Sequence, residues 1–210
     1  MPSRLPSSRV YLLLAALLST ALTGCPVTQP TPVTRFYVLG ALAPGTEALP
    51  GAKREPRLSV ELSALDLPQY LERPQIVTRV DANRLLLSEF DKWGGNLEKD
   101  MTRVLAGNLS QLLATPEIHA ARRAPTPVDV RLELQVMEFE RAPDGRAHLV
   151  AQWHLLQGRA KTLLTSRVSK LASAPIPKGS EMEATVAAMS GLLGELSRDI
   201  ATAIVEKVVR

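Results

Sequence analysis

Apolar residues recur along the chain with two periods, two and about 3.6, and the switches between them outline an architecture. Arg35 to Leu39 has the aromatic and branched content of a strand. The stretch from Pro44 to Pro56, with its prolines and glycines, reads as a loop. Leu58, Val60 and Leu62 then alternate with Ser59, Glu61 and Ser63, the pattern of a strand with one buried face. Pro68 and Pro74 each lack a ladder donor, which excludes a regular strand between them. Ile76 to Val80 and Arg84 to Phe90 form the arms of a hairpin around Asp81-Ala82-Asn83. Four strands therefore precede the first helix.

From Leu97 to Leu113 the period changes. Leu97, Met101, Val104, Leu105, Leu109 and Leu112 are spaced by threes and fours and share one helical face. Gly94-Gly95 break the preceding strand, Asn96 is the expected N-cap, and Pro116 stops the helix. A short strand is expected at Ile118 to Ala121. Val128, Val130, Leu132, Leu134 and Val136 then alternate strictly with Asp129, Arg131, Glu133 and Gln135, the clearest strand signal in the chain. Ala142-Pro143-Asp144-Gly145 supplies turn chemistry, and Ala147, Leu149, Ala151, Trp153 and Leu155 alternate back in an antiparallel partner. A turn near Gln157-Gly158 leads to a third strand at about Ala160 to Ser169. The last helix starts near Ser180, with Met182, Val186, Met189, Leu193, Leu196, Ile200, Ile204 and Val208 on one stripe. Strands, helix, strands, helix predicts an α+β fold, a mostly antiparallel sheet with two main helices packed on one face.

The N-terminal pattern differs. Arg4 and Arg9 precede an apolar run from Val10 to Leu22, and small residues lead to Cys25, the layout of a secretory signal peptide. The run is 13 residues long, whereas a hydrocarbon core requires about 20. Leu22-Thr23-Gly24-Cys25 contains the only cysteine in the chain. The expected organisation is a signal peptide over 1–24, a lipidated Cys25 with a proline-rich tether over 25–34, and a single α+β domain over 35–210. Pro26, Pro30 and Pro32 favour an extended tether of about 3.1 Å per residue.

Charge and composition narrow the function. The chain carries +4, which falls to +2 without Arg4 and Arg9, and its basic residues are scattered. With 4% aromatics it offers neither the cationic surface nor the stacking platform of a nucleic-acid binder. A single acylated thiol leaves no disulfide, so stability rests on burial, which a 45% hydrophobic fraction supports.

Catalytic chemistry is sparse. No G-x-S-x-G elbow, H-E-x-x-H helix or glycine-rich phosphate loop occurs. His148 and His154 lie six residues apart on one strand, about 20 Å at ~3.3 Å per residue, too far to share a metal ion. They read as solvent-facing strand residues, and His119 has only Glu117 nearby. Glu89 and Asp91, beside Trp93, read as strand-end residues that solvate a turn. Neither a catalytic set, a metal site nor a cofactor is expected. The stretch from Leu67 to Arg79 has instead the composition of an interface anchor, a rigid loop in which Pro68, Tyr70, Leu71, Arg73, Pro74 and Arg79 are the candidate partner-binding residues. A plug over the sheet edge, with Tyr70 and Leu71 buried, fits the same composition.

These motifs resemble a known family. Leu22-Thr23-Gly24-Cys25 resembles the lipobox of bacterial lipoproteins, whose cysteine is acylated on sulfur and nitrogen after cleavage before it. Residues 67–79, followed by 82–93 and 96–113, together with Phe36-Tyr37-Val38-Leu39, resemble the ABC-type transport auxiliary lipoproteins of the PqiC-like kind. One departure is Trp93-Gly94-Gly95, where the family has an alanine and an acidic residue after the tryptophan. The resemblance implies a non-catalytic periplasmic lipoprotein that works with the MCE-domain protein of a lipid transport system and supports envelope integrity. In one bacterial sorting pattern an Asp after the cysteine retains the protein in the inner membrane; Pro26 implies the outer membrane. A homo-oligomeric ring would suit such a docking role. The alternative is a periplasmic lipid-binding carrier, which would require a hydrophobic cavity of ~300 Å³ or more between helices and sheet.

Overall fold

In chain order the elements are β1 (Arg35–Tyr37), β2 (Val60–Asp66), a single 3-10 turn (Gln69–Leu71), β3 (Gln75–Asp81), β4 (Arg84–Trp93), α1 (Leu97–Leu113), β5 (Ile118–Ala120), β6 (Val130–Arg141), β7 (Ala147–Gln157), β8 (Leu163–Ala172) and α2 (Met182–Val208). The computed structural model describes residues 32–52, 58–120, 127–179 and 182–208. The leader, Cys25 and the tether up to residue 31 lie outside the described residues. So does Ser180, near which the last helix was expected to start.

The class is α+β, and the single sheet is mixed. β6 pairs with β7 along its whole length and β7 with β8, both antiparallel, as the alternating patterns predict. β3 and β4 form the expected hairpin. The other edge of β6 is shared. β2 runs parallel to it from Val60↔Val130 to Asp66↔Gln135, and β3 takes over at the single rung Thr78↔Arg141. β5 adds to β2, and β1 to β4, both in parallel. These parallel pairings were not expected, because alternation reports which face is buried and carries no sign of strand direction.

Local irregularities have identifiable causes. A register shift between Leu62 and Ala64 turns Leu65 inward at a position opposite in parity to Leu62. Glu61, expected to face solvent, is buried at 9% exposure against its in-register partner Arg131, 3.3 Å away. β8 starts three residues later than expected because Arg159 to Thr162 close the turn. There Lys161 takes φ 52°, its N–H donates to the Gln157 carbonyl, and the Gln157 N–H donates to the Thr162 carbonyl, both at 2.8 Å.

Both helices pack on one face of the sheet and against each other. Asn96 caps α1 as expected, its Oδ1 accepting from the Lys99 N–H at 2.9 Å. The α1 helix ends at Leu113, and Ala114 adopts the left-handed C-cap conformation with φ 51° two residues before Pro116. The α1 stripe is buried from Leu97 to Leu112, as are Val186, Met189, Leu193, Leu196, Ile200 and Ile204 of α2. They meet Leu132, Leu134, Phe139, Leu149, Trp153 and Leu155 of the sheet. Each such fully buried side chain contributes roughly 1.5–3 kcal/mol. Polar bonds fix the register of these layers. Asn108, wholly buried on α1, donates to Ser197 Oγ on α2 at 3.0 Å and accepts from the Leu42 N–H at 2.8 Å. Trp153 Nε1 donates to Ser169 Oγ at 3.1 Å, and that hydroxyl donates to Asp199 on α2 at 2.9 Å. Among the described residues no helix is long and apolar enough to cross a membrane.

Candidate docking loop and its buried support

The segment between β2 and β3 must cross the edge of β6 where β2 departs and β3 arrives. Pro68 is extended at φ −65° and ψ 142°, and the chain then closes one 3-10 turn, with Leu71 N–H donating to the Pro68 carbonyl at 2.8 Å. The far end is clipped to β4 by the Trp93 N–H, which donates to the Pro74 carbonyl at 2.7 Å. Leu71 is buried at 3% exposure and packs in the core.

Beneath the loop lies Glu140, whose side chain is 2% exposed. Its Oε2 accepts from the Tyr70 hydroxyl at 2.8 Å and from the Phe139 N–H at 2.8 Å. Its Oε1 accepts from Arg79, from Nε at 2.8 Å and from the terminal amine at 2.7 Å. The Arg79 guanidinium also stands over the Tyr70 ring, 5.9 Å from its centre. Burial, and then the Glu140 hydrogen bond, push the Tyr70 hydroxyl well above its ordinary pKa, so it remains a neutral donor. For Arg79 burial, the largest single effect, works in the opposite direction, and the hydrogen bond and charge of Glu140, with Tyr70, together outweigh it and raise the pKa. Every acceptor direction of the buried carboxylate that faces the loop is therefore used, the condition under which a buried charge is tolerated.

The six candidate residues thus divide. Tyr70 and Arg79 converge on Glu140, Leu71 supports the loop from within the core, and Pro68 is half-buried at its start. Arg73 and Pro74 are exposed, together with Gln69 and Glu72. The inner residues plug the sheet edge, Leu71 buried and Tyr70 half-buried, and the outer ones form an exposed surface. Glu140 was missed because it looks like the polar end of a strand. The available signal was a break in alternation, since Val136, Met137, Glu138 and Phe139 lose the period of two where the β6–β7 register shifts.

A second carboxylate organises the start of the domain. Asp91 accepts from Arg35 Nε at 2.8 Å and Ser88 Oγ at 2.7 Å, and the Tyr37 hydroxyl lies 3.2 Å from it and 3.1 Å from Glu183. The one phenolic proton serves one carboxylate at a time. Burial, then the Glu183 hydrogen bond, push the Tyr37 hydroxyl up to about 12. Burial would raise Asp91, but the Ser88 and Arg35 hydrogen bonds outweigh it and hold the carboxyl below its ordinary value. This corrects the reading of Asp91 as a turn-solvating residue: it is buried at 8% exposure, whereas Glu89 is exposed. A bulge between Val77↔Leu87 and Gln75↔Lys92 turns Asp91 inward.

The histidines stay apart. His148 Nε2 lies 2.8 Å from Asp144, His119 Nε2 lies 3.2 Å from Glu117, and His154 is half-buried beside in-register Glu133. Among the described residues no three His, Cys, Asp or Glu side chains come together as a metal-holding group. Where a carried acyl chain would lie, between helices and sheet, the space is filled by Met101, Leu105, Leu109, Trp153 and Leu155, all below 2% exposure. Beside this filled centre a cleft of about 550 Å³ lies between α1 and the β2–β5 edge of the sheet, lined by Leu62, Leu65, Lys99, Thr102, Arg103 and Ala120 among others.

Residues 37–201 match the family described as the ABC-type transport auxiliary lipoprotein component, and the chain belongs to that family. Among solved structures it is similar to an uncharacterised protein, with a TM-score of 0.66, 17% identity, and coverage of 82% of this chain and 99% of that one. It is also similar to a DUF330 protein from Xanthomonas campestris, with a TM-score of 0.64, 13% identity, and coverage of 82% and 96%. At these identities the likeness is one of fold. No curated protein matches the sequence.

Proposed function

We propose that this protein is an outer-membrane-anchored periplasmic lipoprotein that serves as a non-catalytic docking subunit of an MCE-type ABC lipid transport system, of the kind that includes PqiC, and so supports envelope integrity. Acylation of Cys25 provides the anchor, and the segment from Leu67 through the loop to Arg79 on β3 receives the MCE-domain protein. The observation that carries this reading is the braced loop itself: Leu71 and the Tyr70–Glu140–Arg79 cluster hold it from beneath, leaving Gln69, Glu72, Arg73 and Pro74 outward. A surface that is rigid before contact loses little conformational freedom on binding. A homo-oligomeric ring would present several such loops to one partner. The filled centre of the helix–sheet interface, with the cleft between α1 and β2 carrying Glu98, Lys99 and Arg103 on its wall, supports docking over the carrier alternative.

The test is crosslinking of the acylated protein in native membranes, with partners identified by mass spectrometry. Recovery of an MCE-domain protein from the natural chain, and its loss from Arg73→Glu with an unchanged melting temperature, is the expected result. Recovery of lipid with no protein partner would replace docking by the carrier reading, and an unaffected Arg73→Glu variant would remove the loop assignment.

A further inference from the structure

Phe36 and Val38 are 68% and 62% exposed, although they flank Tyr37, which turns inward, and precede Leu39, which is 1% exposed. Strand alternation places the two on one face. The registers Phe36↔Lys92 and Gln75↔Lys92 carry that face from β1 through β4 into β3, where Gln75 directly follows the exposed Arg73-Pro74. The result is an aromatic and aliphatic lip with a lysine at its centre.

The chain itself indicates what covers this lip. Phe36 stands eleven residues after Cys25. Fully extended, that length reaches at most about 40 Å, so an acyl anchor at Cys25 keeps β1 permanently close to a bilayer surface. Tethering at this range gives a weak surface contact a high effective concentration. Apolar side chains beside a lysine match the headgroup boundary, where the rings and methyl groups enter the acyl region and the ammonium reaches lipid phosphate. We infer that Phe36 and Val38, with Lys92 between them and the docking loop, form a lip that seats the domain on an anionic phospholipid surface. This rests on the reading of Cys25 as acylated. It places the Gln69–Pro74 surface at the level of the bilayer, where the end of a periplasm-spanning partner would arrive.

The test uses the full-length chain, acylated in cells and reconstituted into vesicles of phosphatidylethanolamine and phosphatidylglycerol. Cys25 is the only natural cysteine, so in the acylated chain Val38→Cys supplies a single free thiol for an environment-sensitive fluorophore. Val168→Cys, at a 49% exposed position on β8, supplies the control. With doxyl-labelled lipids the label at 38 is expected to be quenched several-fold more than the label at 168, and Phe36→Glu to reduce that difference while the protein still floats with the vesicles. Equal quenching at the two positions overturns the lip. Shielding of position 38 that appears only when a protein partner is added also overturns it and gives the face to that partner. Failure to float at all overturns the anchor, and the lip with it, before any fluorescence is read.

Discussion

Tyr70 and Glu140 are seventy residues apart in the chain and meet through a hydrogen bond of 2.8 Å, with Arg79 closing the cluster from the other carboxylate oxygen at 2.7 Å. The loop between β2 and β3 thereby becomes part of the sheet's own polar interior. Glu140→Ala would leave Arg79 facing a desolvated gap and the Phe139 N–H unpaired. It is expected to cost about 3 kcal/mol, the low end for a broken buried pair, because Arg79 is a quarter exposed. Tyr70→Phe removes one bond while Arg79 and Phe139 still satisfy the carboxylate, for a loss of about 1 kcal/mol. Urea unfolding at fixed pH measures both, with an unchanged slope showing that the native state remains compact. Tyr70→Ala would confound docking with folding, which makes Arg73→Glu the cleaner probe of the surface.

Acid stability should depend on Asp91. Its carboxyl is held below the ordinary value in the folded chain, because the Ser88 and Arg35 bonds outweigh the opposing effect of burial. The folded state therefore releases the proton more readily than the unfolded state. The stabilisation is fully present above the unfolded value of about 3.9 and is lost as pH falls through the folded value. Asp91→Asn is expected to flatten the acid limb of a plot of stability against pH and to leave its shape near neutrality unchanged. An identical acid limb in the variant would show that other carboxylates govern it.

Asn108 joins three parts of the fold through one buried amide. Asn108→Leu strands the Leu42 N–H and the Ser197 hydroxyl, although the latter retains its bond to the Leu193 carbonyl at 2.7 Å. A loss of about 2 kcal/mol is expected from one buried donor left unpaired. Amide hydrogen exchange should show faster exchange at Leu42 than in the natural chain, while amides in β6 and β7 change only with global stability.

Gly158 has no room for a side chain. A Cβ there would stand 1.9 Å from the Val128 carbonyl oxygen, a backbone atom held by the start of β6. Gly158→Ala is expected to cost about 3 kcal/mol through forced displacement of the turn between β7 and β8. Gly94 is a milder case, with a hypothetical Cβ 3.1 Å from Val38 Cγ1. Gly94→Ala should cost far less, and the two melting temperatures compared side by side check the ranking.

Much of this architecture is written locally. The helix over Leu97–Leu113 with its Asn96 cap, the alternation through β6 and β7, and the proline-bounded interruption from Pro68 to Pro74 each follow from short-range periodicity or from a missing backbone donor, and they need no knowledge of distant partners. The prominence of residues 67–79 was legible for the same reason. What tertiary structure alone decided is how these pieces meet. The parallel placement of β1, β2 and β5, the shared edge of β6, and the turning inward of Glu61 and Asp91 depend on pairings across tens of residues and on bulges that reset the period of two. Glu140 shows the physical limit most clearly. Nothing in its own neighbourhood requires a buried carboxylate, and only when the loop brings Tyr70 and Arg79 over the edge of β6 do three donors make its burial favourable.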